Sequence, residues 1–364
     1  QTIISKLSDP ETASESLFYL SNLQLNQFGF LLNQPDIIHL ILSFISDQTP
    51  QLVQPSLKIL ELLFQIDEFR PLLSSFIEFT SLIETTFSVF SLKSLESLSN
   101  ILISLLDLIP GEIDSIIIHF LIKTIQIRNE KVELILLRVI FSYLSVSENI
   151  STVLQHVNLY EMLNKSLYLL KSPKQLSISL KIIEMLIRQI HVSCRFFDIT
   201  QILKLMRASN TEIQLHSISI ITSSLLFDNS EFKNKGQLCK SLQYIFVHSS
   251  IQAKLKALFC FQTFLLSYLN NYPQILGLFN DAFFDLLFSL LSCGYKGGIE
   301  AISFLKEILQ NDDLIMCRQY VLNRLLSDEI YQQLEKIADE SEGIIVNHAL
   351  MLLGLIDQFS DQVN

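Results

Sequence analysis

The chain has 364 residues, more than the roughly 250–300 over which a single compact core usually grows, so several domains or an extended array of repeats is expected. Apolar residues make up 49% of the chain and charged residues 17%, with only 9 Gly and 8 Pro, which excludes a disordered or loop-rich protein. The net charge of -11 argues against nucleic acid and anionic membrane surfaces as partners.

The apolar composition raises the question of a membrane protein. A membrane-spanning helix needs about 18 or more consecutive apolar residues, and no such stretch is present. The apolar segment IDSIIIHFLIKTIQI is interrupted by Lys123 and keeps the pattern of an amphipathic helix. We therefore expect a soluble protein without membrane insertion. Because the sequence begins at Gln1 and no signal-peptide pattern follows, we also expect a piece of a longer chain.

Nine predicted helices follow one another along the chain and share one pattern: a first residue that is small in eight of the nine copies, an aliphatic residue directly after it, and an apolar residue three positions later. We call these positions the first, second and fifth columns. The first column reads Ser16, Ser56, Ser97, Leu136, Ser179, Ser217, Ala257, Ala301 and Ala349. The second column reads Leu17, Leu57, Leu98, Leu137, Leu180, Ile218, Leu258, Ile302 and Leu350. The fifth column reads Leu20, Leu60, Ile101, Ile140, Ile183, Ile221, Phe261, Leu305 and Leu353.

The columns recur at a nearly constant spacing. Successive copies are 40, 41, 39, 43, 38, 40, 44 and 48 residues apart. The second and fifth columns lie on one helical face, and a small first column lets a neighbouring helix approach closely. A unit of this size cannot bury that face alone, so stacked units are needed. The pattern predicts an all-α protein: a single helical repeat domain over residues 1–364, with about nine repeats of roughly 40 residues and room for two further helices per repeat.

Prolines and glycines mark the predicted joints between helices. Pro50, Pro55 and Pro173 are assigned to joints rather than to helix interiors. The sequence GYKGG, Gly294 to Gly298, is predicted to form a turn between two helices of the eighth unit, because it lacks the spacing of a phosphate-binding loop.

The sixth unit carries a family resemblance. The run ILKLMRASNTEIQLHSISIITSSLLFDNSEFK resembles an armadillo repeat: a second helix, a short polar loop, and an acidic-apolar-Gln step that opens a third helix with a small-aliphatic core. HEAT-like repeats are near neighbours of this family. The resemblance implies a right-handed superhelix whose third helices line a concave groove that binds partner proteins or peptides. It therefore implies a non-catalytic scaffold for protein binding.

Two alternative functions remain open at this level. Importin-alpha-like adaptors carry a Trp and, four residues later, an Asn on many third helices. Here Phe18 and Asn22 stand at those positions in the first unit, but the later units lack the pair and the protein has no Trp, which weakens a role as a trafficking or nuclear-transport adaptor. The other alternative is the regulatory arm of a larger enzyme.

The charges predict where a partner binds. Between Lys165 and Lys256 there are 13 Lys and Arg against 5 Asp and Glu, a net charge of +8, whereas residues 307–364 have 3 against 11, a net charge of -8. The positive section either docks an acidic or phosphorylated partner segment or consists of lysines in solvated loops. The repeat register places the following candidate partner-binding residues near the groove, together with Phe18 and Asn22: Arg138, Lys181, Glu184, Phe259 and Gln262.

The sequence contains no pattern typical of an enzyme. His191 and Cys194 have the spacing of two metal ligands, but no second pair accompanies them, so we expect no metal and no cofactor. The five cysteines are separated by at least 21 positions and are predicted to be free thiols in a reducing compartment. We therefore expect a non-enzymatic protein of the cytoplasm or the nucleus.

Overall fold

A computed structural model describes the following residues: 2–24, 27–28, 35–46, 49–106, 108, 113–127, 129–146, 158–169, 172–227, 232–268, 273–292, 295–327 and 329–360. Within these residues the chain is all-helical and contains no β-strand. The chain divides into two compact units, Gln1–Glu161 and Met162–Asn364, which are described separately.

The first unit contains nine α-helices within its described residues. They are α1 (Thr2–Leu7), α2 (Pro10–Ser21), α3 (Pro35–Ser46), α4 (Pro50–Phe64), α5 (Arg70–Phe76), α6 (Phe79–Ser88), α7 (Leu92–Leu105), α8 (Ile113–Ile125) and α9 (Glu130–Val146).

The second unit begins within α10 (Leu159–Ser166), whose first three residues precede the division. Its further α-helices are α11 (Pro173–Ile190), α12 (Ile199–Leu205), α13 (Thr211–Phe227), α14 (Lys235–His248), α15 (Ile251–Tyr268), α16 (Asp281–Ser292), α17 (Tyr295–Gln310), α18 (Ile315–Ser327), α19 (Glu329–Glu340) and α20 (Ile344–Ser360). Short 3₁₀ helices occupy Cys194–Phe196, Pro273–Leu278 and Asp312–Leu314.

Each unit has two layers of helices. We call the helices that carry the three columns the column helices. In the first unit α2, α4, α7 and α9 pack in that order, and α3, α6 and α8 form a second layer. In the second unit the column helices α11, α13, α15, α17 and α20 pack in that order, and α12, α14, α16 and α19 form the second layer. Within each unit, this alternation fits a helical solenoid.

Most residues of the predicted second and fifth columns are buried in the packed column helices. All second- and fifth-column residues from Leu17 to Leu305 are buried. The last helix differs from this prediction, because Leu350 is 54% exposed and Leu353 is only half-buried. The prediction was wrong there: α20 buries another stripe, which includes Ala349 and Leu352, against α17 and α19. No further helix packs on the opposite side of α20 within the described residues, so its second column stays in solvent.

The boundary between α12 and α13 shows how the armadillo-like segment folds. The Asp198 side chain accepts a hydrogen bond from the Gln201 backbone N–H and starts α12. Asn210 then caps α13, because its Oδ1 accepts from the backbone N–H of Ile213 at 3.2 Å. Gln214, which is 4% exposed, donates to the Met206 carbonyl at 2.9 Å and thereby ties the new helix to the end of the previous one.

Two of the predicted joints lie within helices. Pro55 is in the interior of α4, whereas Pro50 and Pro173 stand at helix starts as expected. Residues 295–298 of the predicted GYKGG turn form the first turn of α17, and Gly294 lies outside the described residues. A Cβ atom at Gly297 would lie 2.9 Å from the Leu290 carbonyl oxygen, so these glycines allow α17 to pack closely on α16.

Candidate functional site

The column helices of the first unit line a depression of about 640 Å³. Its wall is polar: hydroxyl, amide and charged side chains from α2, α4 and α7 face it. Phe18, at the predicted position, also lines it and is 69% exposed. Asn22 lines it too, but its amide Nδ2 donates to the Phe18 carbonyl at 2.7 Å and caps the end of α2. The predicted Phe18 and Asn22 therefore lie side by side, with the Asn22 amide bonded within its own turn.

Glu61 is the centre of a polar network on this wall. It is 6% exposed, and its two carboxylate oxygens accept hydrogen bonds from Ser97 at 2.7 Å, Asn100 at 2.9 Å and Lys58 at 2.9 Å. Lys58 shares α4 with Glu61, whereas Ser97 and Asn100 come from α7. The network therefore joins two neighbouring column helices through one carboxylate.

Arg138 extends this network to a third column helix. Its Nη2 donates to the Asn100 Oδ1 at 3.3 Å, and its Nη1 lies 4.0 Å from a Glu96 carboxylate oxygen. The predicted binding residue Arg138 is therefore bonded across from α9 to α7. A partner that contacts the Arg138 guanidinium must share it with Asn100 and Glu96 or displace them.

The network determines the charge of Glu61. Burial raises the pKa of this carboxyl, but the hydrogen bonds from Ser97, Lys58 and Asn100 stabilise its ionised form. Together they outweigh burial and hold the pKa of Glu61 below its ordinary value. The buried carboxylate is therefore charged at neutral pH and is compensated within the wall.

The column helices of the second unit line another depression, of about 620 Å³, which we call the second-unit pocket. Three large apolar side chains line it and remain exposed: Leu226 at 50%, Phe227 at 42% and the predicted Phe259 at 51%. Leu226 and Phe227 are the last residues of α13, and Phe259 lies in the middle of α15. Large exposed apolar groups that gather in one concavity are typical of binding surfaces.

Most predicted charged residues of the second unit are paired between helices. The Lys181 ammonium lies 2.7 Å from a Glu212 carboxylate oxygen, and it holds the pKa of Glu212 below its ordinary value. Glu184, which lines the second-unit pocket, lies 2.8 Å from the His216 Nδ1. Both pairs join α11 to α13, so they stabilise the packing of the column helices.

The predicted residues are thus brought together only in part. Glu184 and Phe259 line the same pocket. Lys181 lies on the same helix as Glu184 but is not part of the pocket wall, and Gln262 is half-buried on α15 outside that wall. Their assignment to partner binding remains a prediction.

The pocket residues that were not predicted as binding residues include Arg188, Leu226 and Phe227. Arg188 and Leu226 both stand nine positions after the first column of their helices, at Ser179 and Ser217. The repeat register therefore marks Arg188 and Leu226 as equivalent positions. Both lie farther along their helices than the residues that were predicted to line the groove.

No cluster of three or more His, Cys, Asp or Glu side chains that could hold a metal occurs among the described residues. His191 ends α11 in a left-handed conformation with φ 56°, next to Phe227 at a ring distance of 5.2 Å. Cys194, Cys239, Cys260 and Cys317 are free thiols, as predicted, and Cys293 lies outside the described residues. Burial raises the pKa of Cys260 to about 12, which makes it a poor nucleophile.

None of the helices in the described part of the chain combines the length and the apolar character that crossing a bilayer requires.

Comparisons with known proteins give a fold but no family. No protein-family model matches the chain, and no curated protein matches it. An engineered protein, whose crystal structure comes from the Northeast Structural Genomics Consortium, is 12% identical with a TM-score of 0.67, and the match covers 98% of each chain. A second solved structure, described as showing that a conserved phosphorylation switch controls the interaction between cadherin and beta-catenin, is 13% identical with a TM-score of 0.48. That match covers 98% of this chain and 90% of the other. The likeness to the engineered protein shows a shared all-helical fold.

Proposed function

We propose that this protein is an armadillo- or HEAT-like repeat scaffold that binds partner proteins or peptides along the concave groove lined by its column helices and catalyses no reaction. The proposal includes the right-handed superhelix and the groove that the family resemblance implies. It is supported by the two-layer packing in each unit, which covers one face of most column helices and leaves another face accessible.

The observation that carries the proposal is the composition of the second-unit pocket. A stable core normally covers large apolar side chains, yet Leu226, Phe227 and Phe259 lie exposed in one concavity. Apolar and aromatic groups in a concave surface supply most of the binding energy in protein interfaces. The buried thiols, exemplified by Cys260, support a role that does not depend on nucleophilic chemistry. The four free cysteines support a location in a reducing compartment.

The proposal is tested by partner capture with matched variants. The test variant combines Phe18→Ser, Leu226→Ser and Phe259→Ser, which removes exposed apolar groups from the column-helix faces of both units. The control variant combines Ile122→Ser, Tyr244→Ser and Val247→Ser, which removes exposed groups from the second-layer helices α8 and α14.

Both variants and the unmodified protein are purified from cells with their partners, and the partners are quantified by mass spectrometry. We expect reproducible partners of the unmodified protein to fall about tenfold or more with the test variant and to be retained by the control variant. A partner set that is the same for all three proteins would contradict the proposal. Circular dichroism confirms that both variants keep their helical content.

A further inference from the structure

The second-layer helices of the second unit change charge along their order of packing, which is α12, α14, α16 and α19. Residues 194–207 and 232–248, which contain α12 and α14, have six Lys and Arg against one Asp or Glu, a net charge of +5. Residues 281–292 and 329–342, which contain α16 and α19, have one Lys or Arg against seven Asp and Glu, a net charge of -6. We call the exposed side chains of the first set the basic face and those of the second set the acidic face.

Three cations of the basic face gather at one contact between α12 and α14. The Ser241 hydroxyl donates to the Leu203 carbonyl at 2.9 Å, and the Arg207 Nε donates to the same hydroxyl at 3.2 Å. Lys204 and Lys240 are the chain neighbours of the two residues in the first of these bonds, so they lie on adjacent turns of the two helices. Both lysines are exposed, and neither forms an ion pair with a described carboxylate. Because like charges at this distance repel, an anionic surface opposite them is favoured.

The acidic face carries uncompensated carboxylates. Glu335 and Asp339 are exposed on α19 and stand four positions apart, so they lie on one side of the helix. Lys336, the one cation of this face, lies 3.8 Å from a carboxylate oxygen of Glu340. The exposed carboxylates that form no ion pair with a described cation are those of Asp285, Glu329, Glu335, Asp339 and Glu342.

The neighbourhood of the two faces selects the occupant. Packed helices lie about 8–10 Å apart, so double-stranded nucleic acid or an anionic membrane that covered the basic face would also meet the acidic face in the same layer and be repelled there. A second copy of the chain meets no such repulsion. A two-fold axis that passes between α14 and α16 sets α12 and α14 of each copy against α19 and α16 of the other, so the favourable contact is made twice.

We propose that the second unit associates with a second copy of this chain in a two-fold symmetric dimer, in which the basic face of each copy docks on the acidic face of the other. Tyr244 and Val247, which are 40% and 52% exposed on α14, add apolar area next to Lys240. The association is weak and depends on salt, because ion pairs between exposed side chains are screened. It uses the second layer, so it is independent of partner binding along the column helices.

Sedimentation velocity of the full chain tests the dimer. We expect a concentration-dependent shift from monomer to dimer between about 5 and 200 µM protein in about 50 mM NaCl, the range of a weak interface. Raising NaCl to about 500 mM should increase the dissociation constant at least about tenfold, because the contacts are charged.

Charge reversals assign the contact to the two faces. Lys204→Glu combined with Lys240→Glu, and separately Glu335→Lys combined with Asp339→Lys, should each weaken self-association at least about tenfold. Each reversal has a control with the same change of net charge on exposed residues of the first unit. The controls are Lys93→Glu with Lys131→Glu, and Glu15→Lys with Glu68→Lys, and they should leave the dissociation constant within about twofold of the unmodified protein. Circular dichroism confirms that all four variants keep their helical content.

Mixing the two face variants gives the decisive measurement. In a mixed dimer the reversed basic face of one variant meets the reversed acidic face of the other, so the opposite charges are restored. We expect an equimolar mixture to form heterodimers with a dissociation constant within about threefold of that of the unmodified dimer, although each variant alone is monomeric.

Four results would overturn the inference. The first is an unmodified protein that stays monomeric over the whole concentration range. The second is a pair of face variants that associate as well as their controls. The third is a loss caused by the basic-face reversal but not by the acidic-face reversal, which would give the basic face a different anionic occupant. The fourth is a mixture that stays monomeric, because the two faces would then not contact each other.

Discussion

Glu61 shows how a single residue can join two repeats. A carboxylate that is 6% exposed would normally be too costly to keep ionised, because burial disfavours the charge. Here Ser97 and Asn100 bring donors from the next column helix, and Lys58 brings one from the same helix. The Glu61 carboxylate therefore links α4 to α7 through hydrogen bonds that require its charge.

Replacing Glu61 by Gln is expected to lower the free energy of unfolding by about 1.5–3 kcal/mol at pH 7, because a neutral amide accepts fewer and weaker hydrogen bonds from these donors. The folded-state pKa of Glu61 lies below its ordinary value of 4.5, so its contribution is complete above about pH 4.5 and is lost as the pH falls through the folded-state pKa. The difference between the two proteins should therefore shrink with acidification.

Denaturant unfolding followed by circular dichroism between pH 3 and pH 8 measures this difference. Glu96→Gln is the control, because Glu96 is exposed and lies 4.0 Å from Arg138, where an ion pair contributes about 1 kcal/mol or less. A Glu61→Gln protein with unchanged stability at pH 7 would show that the network contributes nothing to the packing of α4 on α7.

Two glycines at helical positions should respond in opposite ways to alanine. A Cβ at Gly297 meets the Leu290 backbone oxygen at 2.9 Å, whereas a Cβ at Gly354 meets nothing within 4 Å. We expect Gly297→Ala to destabilise the protein by about 1–3 kcal/mol through overpacking of α17 on α16. Gly354→Ala should stabilise it by about 0.5–1 kcal/mol, because alanine has the higher helix propensity. Thermal unfolding curves of the two variants decide this, and equal shifts would contradict the close packing at Gly297.

At the scale of the helix, the column helices could be predicted from the sequence because residues buried on one helical face recur with the period of the helix. Both Ile218 and Ile221 of α13 are buried, since a column helix packs on each side of it. The same rule failed for Leu350 of α20, because the rule assumes two packed sides and α20 has a column helix, α17, on one side only within the described residues. A periodic pattern thus predicts which face is apolar, but not whether a neighbour covers all of it.

The polar part of the candidate site was harder to predict from the sequence. Glu61 and Asn100 lie 39 positions apart, near the repeat spacing, but one polar pair leaves no periodic pattern of its own. The predicted binding residue Arg138 lies on α9, and its bond to Asn100 depends on side-chain directions that only the packed helices define. Lys181 and Glu184 were likewise predicted as binding residues, and they bridge α11 to α13.

The difference between the buried and the exposed columns can be measured directly. Ile221 is fully buried, so Ile221→Ala should lower the free energy of unfolding by about 2–5 kcal/mol. Leu350→Ala serves as the control, because Leu350 is 54% exposed and its truncation should change stability by about 0.5 kcal/mol or less. Denaturant unfolding of both variants is the measurement. A small effect at Ile221 would show that the columns do not hold the column helices together.

At the scale of the whole chain, the net charge of a section overstates the number of charged side chains that are free to contact a partner. The section from Lys165 to Lys256 has a net charge of +8, but several of its 13 cations already contact groups within the protein. Lys181 is paired with Glu212, the Arg207 Nε donates to the Ser241 hydroxyl at 3.2 Å, and the Lys235 ammonium lies 4.5 Å from the centre of the Tyr268 ring. Apolar contacts therefore offer a better basis for partner binding than the summed charge.

The dependence of partner binding on salt concentration distinguishes binding through apolar contacts from binding through the summed positive charge. If partners bind mainly through the apolar groups of the second-unit pocket, raising NaCl from 50 to 500 mM should weaken their binding by less than about fivefold, because few exposed charges are screened. Apolar burial is not screened by salt, so partners should remain bound during washes at 500 mM. The partners to follow are those that the Phe18, Leu226 and Phe259 variant loses. The measurement is the amount of each that stays bound to the unmodified protein over a series of salt concentrations. A loss of a hundredfold or more over this range would require several free cations at the interface and would assign binding to the positive section as a whole.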